Sequence, residues 1–186
     1  MRSPLIRLAL PTLAALLLLA AGTPATAAEL PEEGDTLPEL VFLAPDLQED
    51  ADYLGLAAAE TFTLADAAYD VLLLEIVGVY CPFCHEQTPL FNDLAKRIER
   101  AGLDQQIKMA AVASGATEAE IAYLRDYSGY AYPLLRDQDY SLHKQLGEPQ
   151  TPFTMIVDRQ GTVLYVHMGV IEDIDDLFNR IKELAQ

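Results

Sequence analysis

Only two of the 186 residues are cysteine, Cys81 and Cys84, and none is tryptophan. Two thiols cannot staple a fold together, so an apolar core must hold the chain. A hydrophobic content of 51% over one domain's length is enough to supply it. Positive charge is also scarce: 12 Lys and Arg stand against 29 Asp and Glu, a formal net charge of −17. Such a polyanion repels nucleic acid and anionic lipid, which excludes both as partners. The three histidines, His85, His143 and His167, form no zinc-ligand spacing with the cysteines, so no metal site is expected. Internal repeats and low-complexity blocks are missing as well.

The first 27 residues differ from the rest. Arg2 and Arg7 lead into an apolar run from Leu8 to Ala21, and Ala25-Thr26-Ala27 offers small residues for cleavage. This is the pattern of a secretory signal peptide, expected at residues 1–27, which sends the chain to the periplasm or another extracytoplasmic space. An uncleaved segment acting as a membrane anchor is the alternative. No cysteine follows the run to carry a lipid. Cleavage would leave 12 − 2 = 10 basic against 29 acidic side chains, a formal charge of −19. In an oxidising compartment the two cysteines form either a structural bridge or a working one. A bridge across two residues constrains little of the unfolded chain, because the entropic gain grows with loop length, so the working pair is the better reading.

The surroundings of the pair point the same way. Residues 71–77, Val-Leu-Leu-Leu-Glu-Ile-Val, form an unalternated apolar run of strand length, as expected of a central strand buried on both faces. After it, Phe83, Leu90, Leu94 and Ile98 recur at helical spacing, and Lys96, Arg97 and Arg100 close the last turns. Cys81 then sits at the N-cap edge of a helix, Pro82 in its first turn and Cys84 one turn on, close enough for a disulfide. Residues 28–60 read as an N-terminal extension of loop and short strands, including one over 39–42 and an acidic loop or short helix over 45–56. Residues 61–186 read as the main domain. Strands are expected at 61–64, 107–113, 132–136, 153–157 and 163–168. A helix opens at a Thr117-x-x-Glu120 capping box, and others span 139–146 and 171–184. This order predicts an α/β fold with a central mixed sheet flanked by helices.

From about Gly34 onward the chain resembles the thioredoxin superfamily, and most closely its extracytoplasmic TlpA/ResA group. The resemblance rests on the strand–CxxC–helix order, on Pro89 eight residues after Cys81, and on Thr151-Pro152 leading into a strand. The long spacing from Cys81 to Pro152 and the Gly34-Asp-Thr-Leu-Pro38 segment add to it. It implies a thioredoxin-like fold with an inserted βα element and an N-terminal extension. It also implies a thiol:disulfide oxidoreductase that needs no cofactor. Protein disulfides, those of apocytochromes included, would be its substrates, and a membrane thiol carrier its source of electrons. A reductase is the direction the group suggests, although the fold does not fix direction. Tyr80 in place of the usual Trp, and Pro82-Phe83 between the cysteines, depart from familiar members and bear on the redox potential. A peroxiredoxin would carry Thr-x-x-Cys, whereas Gly78 stands three residues before Cys81.

Roles follow for particular residues. Cys81, facing free N–H groups at the positive end of the helix dipole, is the nucleophile that forms a mixed disulfide, and Cys84 resolves it. Pro152, cis as the resemblance implies, brings Thr151 against the sulfurs, and Thr151, Pro82 and Phe83 contact the substrate. Glu75 lies six residues before Cys81, where thioredoxins hold a buried acid, within a wholly apolar run. Burial raises a carboxyl's pKa and suits it to exchange a proton with Cys84; the alternative is an edge strand on which Glu75 reaches water. The segment Cys81-Pro-Phe-Cys84-His85 also matches covalent c-type haem attachment for electron transfer, with thioethers at both cysteines. In that reading His85 is one axial ligand and Met109, Met155 or Met168 the other.

Overall fold

The computed structural model describes residues 28–186, so the expected signal peptide lies outside the described residues. In chain order these residues form β1 (Val41–Leu43), α1 (Gln48–Leu54), β2 (Thr61–Thr63), β3 (Val71–Gly78), α2 (Pro82–Arg100) and β4 (Ile107–Ser114). Then come α3 (Glu118–Ser128), β5 (Leu134–Asp137), α4 (Ser141–Gln145), β6 (Phe153–Asp158), β7 (Val163–Met168) and α5 (Ile174–Leu184). The main sheet has the order β5-β4-β3-β6-β7. The apolar run thus becomes the middle strand, buried along its length up to Gly78. β3, β4 and β5 are parallel, and α2 and α3 make the crossovers that parallel neighbours require. β6 and β7 form the antiparallel hairpin on the other side of β3.

Side chains alternate across β3 and feed two cores. Leu73 and Val77 pack under Phe91, Leu94 and Ile98 of α2, with α3 and α5 completing that layer. Leu72, Leu74 and Ile76 face the opposite layer, built from α4, α1 and the β1–β2 ribbon. The N-terminal extension is sewn into this second core. Phe42 of β1 pairs with Phe62 of β2, their rings stacked 5.1 Å apart. Gly34 N–H donates to the Val163 carbonyl at 2.8 Å, fastening the extension to β7.

Some boundaries move for identifiable reasons. α5 begins at Ile174, three residues after the expected start, because the Asp173 carboxylate caps it by accepting the Asp176 N–H at 2.9 Å. The Ile171 N–H is used elsewhere, as described below. α4 is shorter than its pattern, since the buried Asp137 carboxylate gathers the N–H groups of Leu142 and His143, each at 3.0 Å. The expected apolar stripe on α2 is also displaced. Phe83 is exposed, and the inward face is Cys84, Gln87, Thr88, Phe91, Leu94 and Ile98. Two polar residues on that face hid the true periodicity.

Candidate active site

β3 ends at Gly78 and a short turn delivers Cys81 to the N-cap of α2, with extended backbone there and Pro82 at the helix start, where no N–H is needed. The Cys81 Sγ accepts the Cys84 N–H at 3.2 Å. The two sulfurs are joined as a disulfide, with Cα atoms 5.3 Å apart. Cys81 is partly accessible and Cys84 is buried. The Thr151–Pro152 peptide is cis, and the Thr151 carbonyl oxygen lies 3.4 Å from Cys81 Sγ. Gly78 leaves room for this approach: a Cβ there would sit 3.3 Å from Thr151 Oγ1 and 3.4 Å from Cys81 Cβ. Cys81, Cys84, Thr151 and Pro152 therefore meet at one end of the sheet, with Pro82 and Phe83 exposed beside them. Once the disulfide is reduced, the free N–H groups and dipole of α2 favour a thiolate at Cys81 over Cys84.

Glu75 is fully buried on the middle strand, between Ala111 of β4 and Thr154 of β6, so the solvent-reaching alternative does not apply. It is on the face covered by α2. Its Oε1 accepts the Gln87 side-chain N–H at 2.7 Å and its Oε2 the Tyr132 hydroxyl at 2.9 Å. Burial pushes the carboxyl up to about 7, with the Gln87 and Tyr132 hydrogen bonds pulling the other way. The Tyr132 hydroxyl is itself pushed well up, first by burial and then by the neighbouring Glu75. Gln87 also places its Nε2 3.4 Å from Thr154 Oγ1 and accepts the Ile171 N–H at 2.8 Å. It thereby ties α2, β3, β6 and the start of the α5 connection together. The Thr88 hydroxyl donates to the Cys84 carbonyl at 2.8 Å, fixing the turn that carries the buried sulfur.

Sequence reasoning missed Gln87 and Tyr132. Gln87 stands three residues after Cys84, which puts it on the same side of the helix. A polar side chain at that position, facing an acidic strand residue, was the available signal. Tyr132 opens a segment expected as a strand, and nothing local marks its hydroxyl as the partner of a residue 57 positions away.

The haem arrangement finds little support in this geometry. His85 Nδ1 lies 2.8 Å from Ser128 Oγ and its ring meets Tyr127 edge-on at 5.5 Å, so the imidazole is engaged with α3. Met109 and Met155 are fully buried within the sheet, and Met168 is at the end of the edge strand β7. A haem at Cys81 and Cys84 would have to displace the packed strand and helix that present them.

The Redoxin family model matches residues 32–181. The thiol:disulfide interchange protein DsbE of Pasteurella multocida is 26% identical over 119 residues, covering 60% of this chain and 61% of that protein. The DsbE of Pseudomonas fluorescens is also 26% identical, over 116 residues, with 62% of this chain and 61% of that protein covered. The chain thus spans 61% of the length of the curated relatives it matches. Among solved structures, the thioredoxin domain of a thiol-disulfide oxidoreductase from Bacteroides vulgatus superimposes with a TM-score of 0.62 at 15% identity, covering 83% of this chain and 99% of that one. At that identity the likeness speaks for the fold, which is thioredoxin-like.

Proposed function

Because the chain belongs to the Redoxin family, we propose that it is an extracytoplasmic thiol:disulfide oxidoreductase working as a protein-disulfide reductase. The observation that carries the reading is the Cys81–Cys84 disulfide at the N-terminus of α2, in the same layer as the buried Glu75. The DsbE relatives, described as thiol:disulfide interchange proteins, support it. In the reducing direction the Cys81 thiolate attacks one sulfur of a substrate disulfide. A Cys81–substrate disulfide forms and one substrate thiolate leaves. Cys84 gives its proton to the Glu75 carboxylate and, as thiolate, attacks Cys81 Sγ. The second substrate thiolate leaves, and two electrons have passed from the protein to the substrate. A dithiol donor, in the expected scheme a membrane thiol carrier, then reduces Cys81–Cys84 again. Substrates would be protein disulfides, apocytochromes among them. Thr151, Pro152, Pro82 and Phe83 would contact the substrate strand. Among the described residues no helix is long and apolar enough to cross a membrane.

A Cys84→Ser variant tests the order of events. It should accumulate a stable mixed disulfide through Cys81 when its reduced form meets an oxidised protein substrate, visible on a non-reducing gel and by mass. Cys81→Ser should form none. Adducts in equal yield through either cysteine would contradict the assignment of nucleophile and resolver.

A further inference from the structure

Exposed aromatic rings are concentrated on one part of this molecule. Among the described residues, Tyr80 (78% exposed), Phe83 (60%), Tyr123 (45%), Tyr127 (67%) and Tyr140 (46%) stand out from the surface; Tyr80 and Phe83 flank Cys81 in the chain, and Tyr123 and Tyr127 lie on the neighbouring α3. Tyr80 immediately precedes the nucleophile, and its hydroxyl donates to Glu120 Oε1 of α3 at 3.0 Å. Glu120, Tyr123 and Tyr127 follow at spacings of three and four, so they form one stripe along α3. The two tyrosine rings are stacked 5.3 Å apart, and Tyr127 meets His85 of α2 at 5.5 Å. The stripe is thus joined to the cysteine end of α2 at two points, through Tyr80–Glu120 and through Tyr127–His85.

Its charge is one-sided. Glu120 is part of it, Asp126 adjoins Tyr127, and Glu86 follows His85 on α2. In the segments 80–89 and 117–131 the only Lys or Arg is Arg125, which turns inward to pair with Asp50. Seven residues of helix from Glu120 to Tyr127 rise about 10 Å, the length of about three extended residues. That is room for a segment of polypeptide rather than a single functional group.

We propose that this tyrosine–carboxylate stripe docks the polypeptide flanking a substrate disulfide, and that it selects substrates with Lys or Arg beside the cysteine. The aliphatic stems of those residues cover the exposed rings while the cations lie over the Tyr123 and Tyr127 faces, between the carboxylates. The chain's net charge of −17 adds long-range attraction for such a partner. This inference rests on the oxidoreductase reading and specifies its substrate class.

The test compares three oxidants of the reduced protein: a disulfide peptide with Lys and Arg flanking its cysteines, the same peptide with Glu in those places, and a small neutral disulfide. The wild type should oxidise with the basic peptide at least about tenfold faster than with the acidic one at low ionic strength, and salt should shrink the gap. The double variant Tyr123→Ser/Tyr127→Ser should lose about five- to tenfold on the basic peptide, with its rate on the small disulfide unchanged. Equal wild-type rates on the two peptides, or a full preference retained by the double variant, would overturn the docking assignment while the small-disulfide rate upheld the oxidoreductase. No reaction with the small disulfide would overturn both.

Discussion

Glu75 is held where its charge is least welcome. Its pKa, raised by burial to about 7, lies above the ordinary value of 4.5, so the folded state keeps a proton that the unfolded chain releases. Below about pH 4.5 both states are protonated and the residue costs nothing. Between 4.5 and 7 the unfolded state is favoured increasingly as pH rises, and above 7 the penalty is constant. Its size follows from the shift and is on the order of 3 kcal/mol. Glu75→Gln should therefore match the wild type in urea denaturation at pH 4 and be more stable, by up to about that amount, at pH 8. The same variant should resolve mixed disulfides more slowly, with the rise in rate through neutral pH flattened. Unchanged pH dependence of resolution would count against the proton relay. Tyr132→Phe removes a donor that favours the carboxylate, so the midpoint of that pH profile should move upward. A midpoint that stays put or falls would show that the hydroxyl does not tune the acid.

α2 is where sequence pattern and packing part company. Its start was legible because Cys81, Pro82 and the preceding apolar run are each local signals of a strand feeding a helix. Its buried face was not, because that face includes Gln87, whose polarity is satisfied by groups distant in the chain, and Thr88, whose hydroxyl bonds the Cys84 carbonyl one turn back. Hydrophobic periodicity reads Phe83 inward, whereas Phe91 occupies the core. Leu94→Ala, on the buried face, should cost about 2 to 5 kcal/mol in urea denaturation. Phe83→Ala should change stability by less than about 0.5 kcal/mol. Equal losses would mean that the helix is rotated from the orientation described. The strands, by contrast, were nearly all legible to within a residue or two. In β3 and β4 both faces are buried, so the apolar runs are continuous. The β6–β7 hairpin is marked by its Asp158–Gly161 turn. The missing signals were long-range hydrogen bonds, which leave no trace in spacing.

At the scale of the whole molecule, two cores on either side of one sheet free a single end of that sheet for chemistry. The extension completes the core opposite α2: Phe42 and Leu54 cover the face of β3 that carries Leu72, Leu74 and Ile76. The other face carries Glu75, which Gln87 of α2 meets, and the disulfide opens at its edge, beside the loop at Pro152. In the proposed reading, that end is where another protein's disulfide is met. The claim on which this account depends is that Cys81 and Cys84 are a reversible two-electron couple. Redox titration of the purified protein against a thiol/disulfide buffer tests it, with thiol alkylation read by mass and a visible spectrum taken on the same sample. The account predicts one transition in which two alkyl groups appear together, with a midpoint nearer about −270 mV than about −120 mV and no haem absorption band. Cysteines that never become alkylated on reduction, or a haem band with the mass of a covalent adduct, would contradict it.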